Sequence, residues 1–198
     1  MLAALSSKTL RADEAYKLTV FTFDAPIELP GVTLPAGTYT FELMDSGADR
    51  NVVQVFNKNM TKLYATVLAI PDYRVEPSDR TIIRFSERTP VEQEAIKEWF
   101  YPGDNFGQEF VYPQSRAKEL AIVTDKPVPS MPDELKPDIT KPVKSAAEPS
   151  VKAMKNAQLE AEQPSGGEVP IPQAFETKPN QQSNENTRHQ VNSEATDH

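Results

Sequence analysis

The sequence predicts an all-β fold: a compact antiparallel β-sandwich or barrel with one or two short helices, followed by a disordered tail. Three observations predict it. Short runs rich in β-branched and aromatic residues recur along the first part of the chain. Turn signals such as Pro30-Gly31 and Pro102-Gly103 separate them. Of the sixteen Phe, Tyr and Trp residues, fifteen precede residue 123, whereas ten of the eighteen prolines follow it. The chain therefore reads as a remnant of a signal peptide over 1–12, a β domain over 13–122 and a disordered Pro/Gln/Asn-rich tail over 123–198. A domain of roughly 110 residues is large enough to bury a core. The tail, with Phe175 as its one aromatic residue, is not expected to offset its ordering entropy.

Taken in order, "YKLTVFTF" (16–23) suits a strand. Pro30-Gly31 fits the central positions of a type II turn, because Pro fixes φ and Gly accepts a positive φ. Pro35-Ala36-Gly37 makes a second turn. Tyr39, Phe41 and Leu43 alternate with Thr38, Thr40 and Glu42, the period of a half-buried strand. "NVVQVFN" (51–57) returns beside it. "KLYATVLAI" (62–70) is apolar on both sides of the alternation, as a central strand is, and Pro71 is expected to end it. "TIIRFSE" (81–87) is another strand. Thr89, Pro90 and Glu92 form a capping box that predicts a helical turn. "AIKEWFY" and "EFVYP" then read as strands. "QSRAKELA" reads as a short helix with Ala117, Leu120 and Ala121 inward.

Composition narrows the function. The net charge is −8 and the pI near 4.9, and no cluster of Lys and Arg offers itself to a phosphate backbone, so nucleic acid is not an expected partner. The chain has no cysteine, and its two histidines, His189 and His198, lie in the tail. The β domain thus lacks the residues of Ser-His-Asp catalysis, thiol nucleophiles and His- or Cys-ligated metals. No cofactor or metal is expected. No apolar run approaches the roughly 20 residues that span a bilayer as a helix. "MLAAL" followed by Ala12 before Asp13 looks like the last part of an apolar signal region and a cleavage point. The expectation is a chain that begins upstream of Met1 and is exported to the periplasm or the extracellular space.

Candidate site residues concentrate in "WFYPGDNFGQEFVYP" (99–113). Asp104 and Glu109 flank an aromatic-rich loop and are the candidate carboxylates of a polysaccharide hydrolase, the alternative reading. Against it, Asp104-Asn105 sets turn geometry in many loops. Trp99 and Phe106 are the candidate ligand platform, with Phe106 displayed at the tip and most other rings closing the core. Asp45 and Asp49 around Gly47 lack the spacing of a calcium loop and read as a solvated hairpin. Gly103 and Gly107 follow no strand-to-helix pattern that cradles phosphate. Arg74, Arg80, Arg84 and Arg88 read as an exposed, mixed-charge sheet edge.

"LPGVTLPAGTYTFEL", "LYATVLAIPDYR" and "EWFYPGDNFGQEFVYPQSRAKELA" resemble a group of small exported β-rich proteins of Acidobacteria-type soil bacteria. The likeness covers roughly residues 17 to 122, with "YPG…G.EFVYP" its most recognisable block. It implies export and a β-rich fold, and it supplies no activity and no catalytic residues. The expected function is a non-enzymatic binding or structural module of the cell envelope, its partner a protein or an envelope polysaccharide. In the tail, "DKPVPSMPDELKPDITKPVKSAAEPS" reads as a semi-rigid spacer and "VKAMKNAQLEAEQ" as a transient helix. A third reading is an adaptor whose tail folds on a partner.

Overall fold

The computed structural model describes residues 17–47, 50–86 and 94–171. The capping box at 89–92 and the apolar start lie outside the described residues, as does the tail beyond 171. Nine strands form one open sheet. Its path runs β1 (Leu18–Phe23), β4 (Gly37–Ser46), β5 (Asn51–Asn57), β6 (Leu63–Tyr73), β9 (Phe106–Phe110), β8 (Glu94–Phe100), β2 (Ile27–Leu29) and β3 (Val32–Leu34). The ninth, β7 (Ile82–Phe85), pairs with β8. Pairing is antiparallel except between β2 and β8. The sheet curls so that its two halves meet. Phe41 on β4 lies edge-on to Trp99 on β8, with ring centroids 6.1 Å apart, and Phe23 meets Phe85 at 6.2 Å. With β1 and β3 as unjoined ends, the architecture is a sandwich and not a closed barrel.

Local chemistry accounts for these elements. Gly31 adopts φ +76° after Pro30, as a type II turn between β2 and β3 requires. Tyr39, Phe41 and Leu43 all point into the core. β6 does not stop at Pro71 as expected. Its pairing with β5 ends at Ala69↔Asn51, so Pro71 lies where β6 has a single neighbour, β9, and its missing N–H is tolerated. The helix α1 (Gln114–Thr124) buries Ala117, Leu120 and Ala121, the three residues its spacing predicts.

The boundary at residue 122 is a correction. The ordered chain continues through β11 (Val128–Met131), α2 (Lys136–Ile139), α3 (Pro149–Asn156), β12 (Glu160–Glu162) and β13 (Glu168–Pro170). β10 (Tyr112–Pro113), β11, β12 and β13 make a second, four-stranded sheet. Ile139, Val143, Val151 and Met154 are buried in the same core as the first domain's residues. They cover the second face of β5 and β6. Gln54 on β5 donates to the backbone carbonyl of Val143 at 3.1 Å and to Thr66 Oγ1 on β6 at 3.3 Å. Arg50 donates to the Ala157 carbonyl at 2.6 Å, and Lys155 pairs with Asp45. Gly31 also belongs to this contact: a Cβ there would stand 2.7 Å from Ile139 Cδ1. Prolines did not prevent folding, because they sit where they are compatible with structure. Pro149, for example, opens α3 within its first turn.

Candidate functional site

The sheet brings together a charged cluster that no single stretch of sequence displays. Glu98 on β8 and Glu109 on β9 are directly opposite in the ladder, and Arg84 on β7 is opposite Glu98. Lys97 joins them through a β-bulge. Arg84 pairs with Glu98 but Phe85 pairs with Ile96, which leaves Lys97 as the extra residue of β8. Bulges re-aim side chains, and here the Lys97 ammonium reaches both Glu98 and, at 3.7 Å, Glu109 Oε1. Glu98 is held on its other oxygen by Arg84 Nη1 at 2.9 Å.

Glu109 differs from Glu98 in how it is satisfied. Its residue is 4% exposed, and its Oε1 has no hydrogen-bond partner among the described residues. Burial pushes its carboxyl up to about 8; Lys97 opposes that rise, and the charges of Asp72 and Glu98 reinforce it. Burial thus favours the protonated form of this carboxyl. Asp72 on β6 is raised as well, first by burial and then by Glu98. Burial works against the charge on Lys97, but Glu109, Glu98 and Asp72 outweigh it and raise its pKa.

This cluster borders a cavity of about 280 Å³. Arg84, Lys97, Glu98 and Glu109 line one side. Phe85, Phe110 and Tyr112 add apolar wall, and Thr124, Lys126 and Pro127–Pro129 close it from the segment after α1. The wall at 124–129 belongs to the stretch that composition assigns to the tail, so the cavity exists only because that stretch folds back. The size suits a ligand at the small end of the usual range.

The candidate residues from the sequence fall in three different environments. Glu109 lines the cavity. Asp104 sits in the β8–β9 loop, pairs with Lys17, and is not part of the cavity wall. The carboxylate that faces Glu109 is Glu98. Trp99 is 1% exposed and belongs to the core, which corrects its place in a ligand platform: a ring packed on Phe41 inside the sandwich has no face to offer. Phe106 is displayed as expected, at 62% exposure, and it has a partner that sequence reasoning missed. Tyr73 is directly opposite it on β6, 59% exposed, with ring centroids 5.5 Å apart. Arg80 and Arg84 are exposed as expected, Arg74 is half-buried, and Arg88 lies outside the described residues. Arg84 anchors Glu98, and the Arg74 guanidinium lies 5.4 Å from the centre of the Phe100 ring. Asp45 pairs with Lys155, and Asp49 lies outside the described residues. Among the described residues no group of three or more His, Cys, Asp or Glu is placed to hold a metal ion, and no helix is long and apolar enough to cross a membrane.

Comparison with protein-family models, with curated proteins and with solved structures finds no match to this chain.

A pH prediction follows from Glu109. Between pH 4.5 and about 8 the unfolded chain has released this proton while the folded chain keeps it. The unfolded state then binds fewer protons, so stability falls as pH rises through that window, by up to about 1.4 kcal/mol per unit. Glu109→Gln should remove most of that slope and should be more stable than the wild type at pH 8. Urea melts at several pH values test this. An unchanged slope in Glu109→Gln would show that Glu109 is ionised in the folded protein.

Proposed function

We propose that the chain is a non-enzymatic, exported binding module of the cell envelope, and that its ligand occupies the cavity at Glu109. The observation that supports this most is the Glu109 carboxyl itself. A carboxyl that is 4% exposed, with the Lys97 ammonium 3.7 Å from Oε1 and no hydrogen bond to that atom among the described residues, is costly in a structure that has no use for it, and Glu109 lines a cavity sized for a ligand. The absence of His and Cys from residues 1–188 and the commitment of Glu98 to two cations favour binding over nucleophilic catalysis. Export rests on the apolar start of the chain and on the resemblance to small exported proteins. Recovery of a tagged chain from the cytoplasm of its native host, and not from the envelope or medium, would overturn that part.

The alternative is a hydrolase acting on polysaccharide. It rests on Glu109, whose pKa burial raises, standing opposite Glu98 on β8, two carboxyl groups in different environments, while Asp104 lies outside the cavity wall. A backbone-amide NMR screen of the full chain against small acids, amines, neutral amides and soluble glycans separates the readings. The binding module predicts shift changes clustered on β8, β9 and residues 124–129, with every compound recovered intact. Changes confined to Tyr73 and Phe106 would move the site to the sheet surface. Glycan turnover that disappears in Glu109→Gln would establish the hydrolase.

A further inference from the structure

The nine-stranded sheet ends at β1, and that end is built differently from every other sheet end. We infer that β1 is a strand-addition edge whose partner is β1 of a second copy of this chain, paired antiparallel about a two-fold axis with Val20 opposite Val20. The inference does not depend on the cavity. Among the described residues β1 pairs with β4 alone, in an unbroken register from Leu18↔Glu42 to Phe23↔Gly37. The Lys17 carbonyl accepts from the Leu43 N–H at 2.9 Å, which fixes the phase of the ladder. Backbone groups of successive residues point to opposite sides of a strand. Those of Thr19, Phe21 and Phe23 therefore face β4, and those of Leu18, Val20 and Thr22 face away from it. The same three residues carry the exposed side chains, Leu18 at 41%, Val20 at 52% and Thr22 beside them.

The other sheet ends are guarded. β3 has three residues, β7 has four with Arg84 among them, β10 is Tyr112-Pro113, and β13 is Glu168-Val169-Pro170. Short strands, charges and prolines are the devices that keep edges from pairing. β1 has six residues, "LTVFTF", with no charge, no proline and no bulge. It is also held ready for a partner. Phe21 and Phe23 pack on Phe41 inside the sandwich, with ring centroids 5.1 Å and 6.4 Å away, so little order has to be gained on pairing. β7 meets β1 through Phe85 and Phe23 on the core side, and no ladder joins those two strands.

A second copy fits because the strand is self-complementary. Centring the pair on Val20 sets Leu18 opposite Thr22 and Thr22 opposite Leu18. Every outward-facing backbone group of β1 then meets another, and about six hydrogen bonds form. The register of full overlap, with Leu18 opposite Phe23, fails because it sets outward-facing groups against inward-facing ones. Leu18 and Val20 of the two copies join into one apolar stripe of cross-strand neighbours, with no like charges opposed within the strands. A strand pair of this length buries less than the roughly 1,200 Å² of a standard interface, so the dimer is weak and depends on concentration.

Sedimentation velocity and crosslinking of the full chain test this. The sedimentation coefficient should rise from the monomer value towards the dimer value between roughly 10 μM and about 1 mM, the range of a small interface. The chain has no cysteine, so each Cys variant introduces a single thiol. Val20→Cys should form a disulfide-linked dimer on oxidation, because opposed Cα atoms about 5.5 Å apart suit that bond. Thr22→Cys should not crosslink to itself but should crosslink to Leu18→Cys. Val20→Lys and Val20→Glu should each weaken association by about tenfold or more, with unchanged thermal melts, and an equimolar mixture of the two should associate again. A chain that stays monomeric at about 1 mM would overturn the proposal. Association that Val20→Lys leaves intact would place the interface elsewhere and overturn it too. Equal self-crosslinking of Val20→Cys and Thr22→Cys would overturn the register about Val20.

Discussion

A chain ending at Thr124 should not fold to a stable domain. It keeps every strand of the nine-stranded sheet and the whole of α1, but it loses the cover of the sheet's second face. Ile139, Val151 and Met154 are fully buried, and Val143 nearly so. Each such side chain contributes roughly 1.5–3 kcal/mol by burial. Together with the apolar surface of β5 and β6 that they cover, the loss matches the roughly 5–15 kcal/mol that holds a typical domain. The truncated chain should aggregate or show collapsed, poorly dispersed amide spectra. In the full chain, trypsin should cut slowly at Lys144, Lys152 and Lys155, because the segment carrying them is docked. A monomeric fragment ending at Thr124 that melts cooperatively would show the cover to be dispensable.

Trp99→Ala should be the most damaging single change in the aromatic block. The indole is buried between the two halves of the curled sheet, edge-on to Phe41. Truncating such a ring removes about 3–5 kcal/mol. For a chain of this size that lowers the melting temperature by roughly 10 °C or more. Phe106→Ala, on a ring exposed to solvent and touching Tyr73, should change stability by no more than about 0.5 kcal/mol. Calorimetry on the two variants checks the contrast. Equal, small effects would place Trp99 at a surface and restore it to the ligand platform.

Features that depend on a few neighbouring residues were legible. The Pro30-Gly31 turn, the alternation in β4 and the inward face of α1 each follow from local geometry, and each stands where the residues put it. The fold of residues 123–171 was not legible from composition, because its apolar residues are spread thinly between prolines and acquire a function only against a sheet. A signal was present all the same. β6 is apolar on both faces, and a sheet buried on both faces needs a second layer.

The candidate site shows the same division. Glu109 stood out as a carboxylate in an aromatic block, but what it faces is set by strand register. Whether Glu98 or Asp104 stands near it depends on the length of the β8–β9 hairpin. The bulge at Lys97 leaves no trace in hydrophobic periodicity. Tyr73 lies 33 residues before Phe106, and only the pairing of β6 with β9 makes them neighbours. The wall at 124–129 lies in a stretch whose proline-spaced composition is that of a spacer.

Glu109 is a buried carboxyl at the wall of the cavity, and burial raises its pKa to about 8. The most direct measurement is the carboxyl ¹³C shift of Glu109 in a glutamate-labelled chain, assigned by comparison with Glu109→Gln and followed from acid to alkaline pH. Burial predicts a midpoint near 8. A midpoint near the ordinary glutamate value of about 4.3 would contradict it.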